Sequence, residues 1–534
     1  MTILETIMEV VARRQENVFL IDAATGRKIS YGEFHLQACA LAAQLRDRGL
    51  KKGDRIGIMV PNCCELAILY FACIYLGSVI VPVSPAHSKS DVQFILSNCK
   101  PAIVVASASC LRTIKNIHPN VLTLVTTQDG PEELPGEAIS TDAPSGTRGF
   151  KPLETATADD LVAIMYTSGT SAKPKGLAHK LGRMFRNASA FAKMQGIDQD
   201  SRFYLTLSMA YMGGLYNLLV LPLLCGASVV IDHVFDARSS LQFWEQAKKN
   251  EVNALWMAPT VLSILLRMDR GRIGEEFCRS SVRHAFVGFA PLPRKVKEQF
   301  ESRYGVYLIE NYGLSETLFV TARSRDVVNC NGYVGEPLPG VNLRTIAESG
   351  DPVTPGETGE LQIQTPDLMA GYLDGDGKLI ESDASSWFST GDIGRIDEGS
   401  SVFVIGRKKD LIIRGGVNIS PAAIEEALMR VEGVVEVAVV SIPHELYGED
   451  VLAVLKLESG LELESVLDSV IAYAKRTLAP PQQPARYITM DEFPRTANGK
   501  VQKVRIRELV AEKLQLSFGP SLKPSSTESS VASR

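Results

Sequence analysis

Three short apolar runs, RIGIMV (55–60), VIVPV (79–83) and PAIVVAS (101–107), are separated by stretches each long enough for one helix. A run of this length without polar alternation reads as a strand covered on both faces, and such strands belong to parallel sheets whose crossovers are helices. The intervening segments agree: residues 63–76 read as a helix and 91–99 as a shorter one. Upstream, residues 31–48 carry Phe34, Ala38, Leu41 and Leu45 at helical spacing, with Gly49 as a stop just beyond. The same alternation returns over about 200–310, where VNALWMAP (252–259), RHAFVGFAP (283–291) and VYLIENYG (306–313) read as strands. The expected class is α/β, with two parallel-type subdomains in a large N-terminal part.

Glycine and proline become frequent over 330–400, between short strands such as ELQIQT (360–365), which predicts a compact, mainly β subdomain. After Arg407 the pattern becomes a small α+β unit, with helices over 422–431 and 464–478 and strands over 434–442 and 451–457. The Ser/Pro-rich end has nothing to bury and reads as a disordered tail. The expected organisation is a large domain over 1–409, a small mobile one over 410–515, and a tail over 516–534.

The balance of charges excludes several classes. Of 534 residues, 56 are Lys or Arg and 61 Asp or Glu, a net charge of −5, so no basic surface for nucleic acid is expected. The apolar run 218–231 is too short to span a bilayer and is broken by Pro222 and Gly226. The segment MTILETIMEVVARRQEN lacks a basic start followed by an apolar block, so no secretory signal and a cytoplasmic location are expected. The nine cysteines are an odd number without metal-like spacing, several inside apolar runs, and read as buried reduced thiols.

The most informative stretch is YTSGTSAKPKG (166–176), delivered by the apolar strand LVAIM (161–165). It holds the hydroxyls of Thr167, Ser168, Thr170 and Ser171, the flexible Gly169, and two lysines including Lys175. Hydroxyls, exposed N–H groups and a lysine suit a phosphate chain, although the Walker pattern is absent and a solvated turn has the same composition. This loop resembles the signature of the acyl-adenylate-forming family, the acyl- and aryl-CoA synthetases, luciferases and peptide-synthetase adenylation domains. Further signatures follow in the family's order: NYGLSET (311–317), GEL to GY (359–372), STGD (389–392), GRKKDLIIRGGVNISP (406–421) and PRTANGK (494–500).

The resemblance implies ATP- and Mg²⁺-dependent activation of a carboxylic acid to acyl-AMP, with transfer to coenzyme A. The alternatives are loading of a phosphopantetheinyl carrier protein, or a non-catalytic acyl- or nucleotide-binding paralogue. It implies Lys500, Glu316 and Thr167 as catalytic, with Glu316 also the metal ligand. Its nucleotide site comprises Thr167, Ser168, Gly169, Thr170, Ser171, Lys175, Gly288, Ala290, Pro291, Asn311, Tyr312, Gly313, Ser315, Asp392, Arg407 and Lys500. Tyr312 would flank adenine, Asp392 would accept from the ribose hydroxyls, and Lys500 would stabilise charge on the α-phosphate. Asp410 matches the family's hinge. Gly415 and Gly416 would lie on the CoA side, and serve equally as a turn. His179 would touch the nucleotide or pack as a structural histidine.

In relatives the acyl pocket is lined by the segments matching Tyr211, Met212, Gly214, Phe289 and Leu314. Tyr211 stands where many CoA ligases have histidine, and Phe289 where relatives have a small residue or a carboxylate. A ring there shortens the pocket and predicts a small-to-medium aryl, cyclic or short acyl acid; a Phe289 turned into the core would leave the pocket open.

Overall fold

The computed structural model describes residues 3–127, 137–141, 156–167, 174–322, 332–495 and 501–514. The chain divides into two compact units, Met1–Val404 and Ile405–Arg534.

The first unit is built on two large sheets. The nine-stranded one runs in the order Leu379–Glu381, Gly371–Leu373, Lys175–Lys180, Leu161–Thr167, Val79–Pro82, Arg55–Met59, Ile103–Ala106, Val121–Leu124, Glu137–Ile139. From Leu161–Thr167 to Glu137–Ile139 its neighbours are parallel. The seven-stranded sheet runs Leu308–Glu310, His284–Val287, Ala254–Met257, Arg202–Leu205, Ser228–Ile231, Val18–Asp22, Lys28–Ser30, and is parallel except at the last pair. The apolar runs of the sequence therefore become strands covered on both faces, as expected.

Helix Cys64–Leu76 explains how the two sheets share one core. Every one of its residues is buried, and it touches a strand of each sheet, Val79–Pro82 and Val18–Asp22. A helix apolar all round has no solvent face to offer, so it can only lie between layers. Each large side chain buried this way stabilises by about 1.5–3 kcal/mol. Its single carboxylate, Glu65, is buried and paired with Arg27 at 2.9 Å. The neighbouring helix Tyr31–Asp47 starts at Ser30, where Ser30 and Glu33 form a reciprocal capping box.

A six-stranded sheet, Thr321–Ala322, Tyr333–Pro337, Val402–Arg407, Phe388–Ile396, Gly359–Gln364, Asn342–Ile346, makes the β subdomain expected over 330–400. One part of that stretch goes elsewhere. The strands Gly371–Leu373 and Leu379–Glu381 extend the nine-stranded sheet, with Tyr372 opposite Leu177.

The apolar run 218–231 resolves into the end of a π-helix (Gly213–Val220), a short helix (Leu221–Cys225) and the strand Ser228–Ile231. Among the described residues no helix is long and apolar enough to cross a membrane. The eight described cysteines are all free thiols, and no cluster of three potential metal ligands occurs there. Cys330 lies outside the described residues.

The second unit pairs the long strands Val434–His444 and Gly448–Leu457 antiparallel and adds the hairpin Ile412–Arg414/Val417–Ile419 and the parallel strand Arg486–Thr489. Helices Pro421–Leu428, Leu463–Thr477 and Lys503–Leu514 accompany them.

Candidate active site

Strand Leu161–Thr167 pairs antiparallel with Lys175–Lys180, which sets Thr167 opposite Lys175. The two ends of the phosphate-type loop are thus held side by side. Ser168, Gly169, Thr170 and Ser171 between them lie outside the described residues, as does Lys500. The root of the loop is fixed by Tyr166, whose hydroxyl donates to Asn98 Oδ1 at 2.6 Å in the interior. His179, on the second strand, is fully buried, and burial, with Arg183 adding, drives its pKa down to about 4. It is a neutral packed side chain.

Glu316 stands on the turn of a tight hairpin, Gly313–Leu314 against Leu318–Phe319. Gly313, Leu314 and Ser315 lead into that turn, and Leu314 N–H donates to Thr317 Oγ1 at 3.3 Å. Glu316 is half-buried, and two contacts place it. Met369 N–H donates to its carbonyl at 2.7 Å, and Tyr372 Oη donates to its carboxylate Oε1 at 2.8 Å. Burial and then the Glu316 charge push the Tyr372 hydroxyl pKa up, so it remains the donor. Lys175 Nζ lies 5.9 Å from the centre of the same ring, within cation–π range. Thr167, Lys175, Tyr372 and Glu316 thus form one connected edge with both charge signs.

The hydroxyl of Tyr312 donates to Asp392 Oδ2 at 2.6 Å, linking residues 80 positions apart. Both are buried, with Tyr312 8% and Asp392 3% exposed. The backbone on either side is fixed too: Tyr312 N–H donates to Thr321 Oγ1 at 3.2 Å and Asp392 N–H to Thr390 Oγ1 at 3.0 Å.

Gly288 and Asn311 leave the carboxyl ends of the neighbouring parallel strands His284–Val287 and Leu308–Glu310. In open parallel sheets this edge is where ligands bind. Gly288 is buried, and Ala290 and Pro291 are exposed just beyond. Asn311 Oδ1 and Trp256 Nε1 are buried without a hydrogen-bond partner among the described residues, and both approach Gly288. Buried polar atoms left unpaired are rare, and their occurrence at a strand edge fits a ligand that completes them.

Among the expected acyl-pocket residues, Phe289 meets the segment that carries Tyr211, Met212 and Gly214. Phe289, Met212, Leu207 and Leu314 are part-buried and pack on the main core of the first unit. The ring of Phe289 rests on Gly213, where an added Cβ would meet Cζ at 2.9 Å. Gly214, next in the π-helix, is packed so closely on the Ser208 carbonyl that a Cβ there would collide with it. Tyr211 hydrogen-bonds His87 Nε2 at 3.0 Å. Helices of the π type often sit at functional sites.

In the second unit, Arg407 ends the strand Val402–Arg407 and Asp410 closes the following 3₁₀ turn. Gly415 (φ +58°) and Gly416 (φ +83°) form the two-residue turn of the hairpin Ile412–Arg414/Val417–Ile419. Two positive φ values in a row favour Gly-Gly.

Two contributors go beyond the residues to which the motifs assign a role. Tyr372 ends the GEL to GY motif (359–372). Asn187, on helix Leu181–Gln195, accepts from Tyr216 Oη at 2.7 Å and Phe319 N–H at 2.9 Å, and donates to the Phe319 carbonyl at 2.9 Å. It joins the π-helix to the Glu316 hairpin. Its signal was a lone amide on the apolar face made by Met184, Ala188 and Phe191.

Known proteins resemble this arrangement. The model of the AMP-binding enzymes matches residues 7–373, and that of the AMP-binding enzyme C-terminal domain matches 423–500. Sulfoacetate–CoA ligase of Cupriavidus necator is 28% identical over 94% of this chain and 98% of its own. Indoleacetate–CoA ligase of Aromatoleum aromaticum is 30% identical over 91% and 94%. The crystal structure of ATP-bound MatB from Rhodopseudomonas palustris superposes with a TM-score of 0.83 at 27% identity, covering 96% of this chain and all (100%) of that one.

Proposed function

The chain belongs to the AMP-binding enzyme family and is an ATP-dependent acid–thiol ligase, and on that premise we propose that it makes an acyl-AMP and passes the acyl group to coenzyme A. The observation that carries the residue assignment is the buried Tyr312–Asp392 hydrogen bond. Tyr312 gives its hydroxyl to the carboxylate, and we assign its ring to the base. Asp392, held in place by that donor, accepts from ribose hydroxyls. Asn311 Oδ1, buried and unpaired, supplies an acceptor for the base edge.

In the first half-reaction a carboxylate oxygen attacks the α-phosphorus, the bond to the bridging oxygen breaks, and pyrophosphate leaves. Thr167, the hydroxyls of 168–171 and Lys175 are assigned to the departing phosphates, and Arg407 and Lys500 are the further positive charges of the family's reaction. Such preorganised contacts lower the barrier because charge concentrates on the phosphate oxygens as the bond breaks. In the second half-reaction the acceptor thiol, losing its proton, attacks the acyl carbon and AMP leaves. Gly415 and Gly416 serve the pantetheine side, and Asp410 is the hinge between the two steps.

The residues present fit a magnesium ion. A half-buried carboxylate with a hard oxygen donor, fixed by Tyr372 at one oxygen, is the single protein ligand that Mg²⁺ commonly takes beside substrate phosphates. Bound there, the ion would neutralise phosphate charge and order the triphosphate. Glu316 would hold it, and Tyr372 and the Met369 N–H would orient Glu316.

Acid-dependent exchange of labelled pyrophosphate into ATP tests the first step, and thioester formation with free CoA against a holo carrier protein tests the second. Exchange is expected, with CoA as acceptor. No exchange with any carboxylate would refute the reading, and thioester formation only with the carrier would reassign the acceptor.

A further inference from the structure

Phe289 has a backbone that few bulky residues adopt. Its φ is +74°, in the left-handed region, immediately after the buried Gly288 at the end of strand His284–Val287. Such a conformation is strained and persists only where the surroundings hold it. What holds it here is a seat. The ring tip lies against Gly213, with Cζ and Cε1 at 2.9 and 3.0 Å from the position of a Gly213 Cβ, and Leu207 Cδ1 at 3.2 Å from the same point.

The seat itself cannot withdraw. Met209, in the loop before the π-helix, accepts from Tyr70 Oη at 3.0 Å and donates its N–H to Asn62 Oδ1 at 2.9 Å. Asn62 Nδ2 in turn donates to the Leu207 carbonyl at 2.9 Å. Gly214 N–H donates to the Tyr211 carbonyl at 3.1 Å, and its Cα packs on Ser208. The wall beneath the ring is therefore backbone tied to two buried side chains of the opposite layer. An acid can lengthen in this direction only by displacing the ring.

The wall is also apolar. Phe289 and Leu207 meet over Gly213, which lies between Met212 and Gly214 in the chain, and none of these carries a charge to pair with a second acidic group. The polar pair beside them is Tyr211 with His87, and burial lowers the His87 pKa, so that imidazole is not a standing cation. Leu314 belongs to the hairpin that carries Glu316, and Phe289 follows Gly288 beside Asn311. The ring of Phe289 thus starts one residue from Gly288, beside the residues assigned to the nucleotide, where the reacting carboxylate has to lie.

We propose that Phe289, seated on Gly213, is the floor of the acyl pocket and limits the enzyme to compact apolar monocarboxylic acids, aromatic or short-chain, excluding long-chain fatty acids and dianionic acids. This rests on the ligase reading above.

The test is pyrophosphate exchange with benzoate, phenylacetate, butyrate, octanoate, dodecanoate, malonate and sulfoacetate, on wild type, Phe289→Gly and Gly213→Ala. Wild type is expected to prefer the aryl acids and butyrate. In Phe289→Gly, kcat/KM should rise by roughly fourfold for each chain methylene that enters the vacated space, so octanoate should gain most. Gly213→Ala, which forces the ring tip upward, should depress the aryl acids more than butyrate. Glycine suits φ +74° better than phenylalanine does, which offsets part of the lost packing. Should Phe289→Gly still fail to fold, Phe289→Leu gives the same shift toward octanoate on a smaller scale. Preference of the wild type for dodecanoate, malonate or sulfoacetate would overturn the proposal and leave the ligase intact, and so would a selectivity that neither Phe289 variant shifts. Exchange absent with every acid would instead strike the ligase reading.

Discussion

Replacing Tyr312 by phenylalanine isolates the contact on which the nucleotide assignment depends. The substitution keeps the ring and deletes one hydroxyl, the donor to Asp392 Oδ2 at 2.6 Å. Both residues are buried, so water does not replace the donor freely. A hydrogen bond to a charged group contributes about 1.5–3 kcal/mol, which at about 1.4 kcal/mol per decade is roughly ten- to hundredfold. If Asp392 receives the ribose, that loss falls on ATP: its KM should rise by this factor in the exchange assay while the KM of the acid stays put. Asp392→Asn, which keeps the shape and removes the charge, should raise the ATP KM in the same direction. The outcome that would refute the reasoning is an unchanged ATP KM in Tyr312→Phe, or a rise in the KM of the acid alone. Either result would make the pair a structural tie of the β subdomain and leave the ribose to another residue.

Three further outcomes are expected. His179 has a folded pKa of about 4, below its ordinary 6.5, so it contributes stability above pH 6.5 that is lost as pH falls toward 4, at most about 3 kcal/mol; denaturation midpoints taken from pH 7.5 down to 4.5 should drop more steeply for wild type than for His179→Leu, and parallel slopes would refute this. Asn187→Leu strands the Tyr216 hydroxyl and both polar atoms of Phe319, each costing about 1–3 kcal/mol when buried and unpaired, so its thermal midpoint should fall well below that of Tyr216→Phe, which strands only one acceptor site; equal midpoints would count against the hub. Lys500→Ala should lose about 3–4 kcal/mol of transition-state stabilisation in adenylation yet still turn synthetic acyl-AMP into thioester, and equal loss in both steps would remove Lys500 from its role.

The parts of the fold that the sequence foretold are those whose signal is local. The runs at 55–60, 79–83, 101–107 and 284–287 are strands because unbroken β-branched and apolar residues between turn formers have few other packed states. Strand Lys175–Lys180 escaped that logic. KGLAHK carries two lysines and a histidine, and it is a strand because Leu161–Thr167 offers it an open edge. The placement of Gly371–Leu373 is equally non-local: its neighbours in sequence belong to the β subdomain, yet its partner is Lys175–Lys180. The π-helix could not be told from an ordinary helix, since its Gly-Gly start and apolar run fit both. In the site, the motifs named the residues and the structure supplied the pairings. Nothing in NYGLSET or STGD says that the tyrosine of one gives its hydroxyl to the aspartate of the other.

Backbone strain sits at the far end of the same scale. Five non-glycine residues among those described have positive φ, and Lys100, Glu251 and Ser400 lie at a helix end or in turns, where that conformation is ordinary. The other two are Phe289 and Leu318, at +74° and +59°. Local preference would put glycine at both, so no propensity argument could have found them. Each is over-determined by a non-local contact instead: Phe289 by its seat on Gly213, and Leu318 by its pairing with Leu314 across the turn that carries Glu316. One precedes the residues proposed for the nucleotide and borders the proposed acyl wall, and the other adjoins Glu316, the proposed magnesium ligand. Relaxing either backbone would let the ring or the carboxylate drift, and positions offset by an ångström are enough to forfeit about a hundredfold in rate.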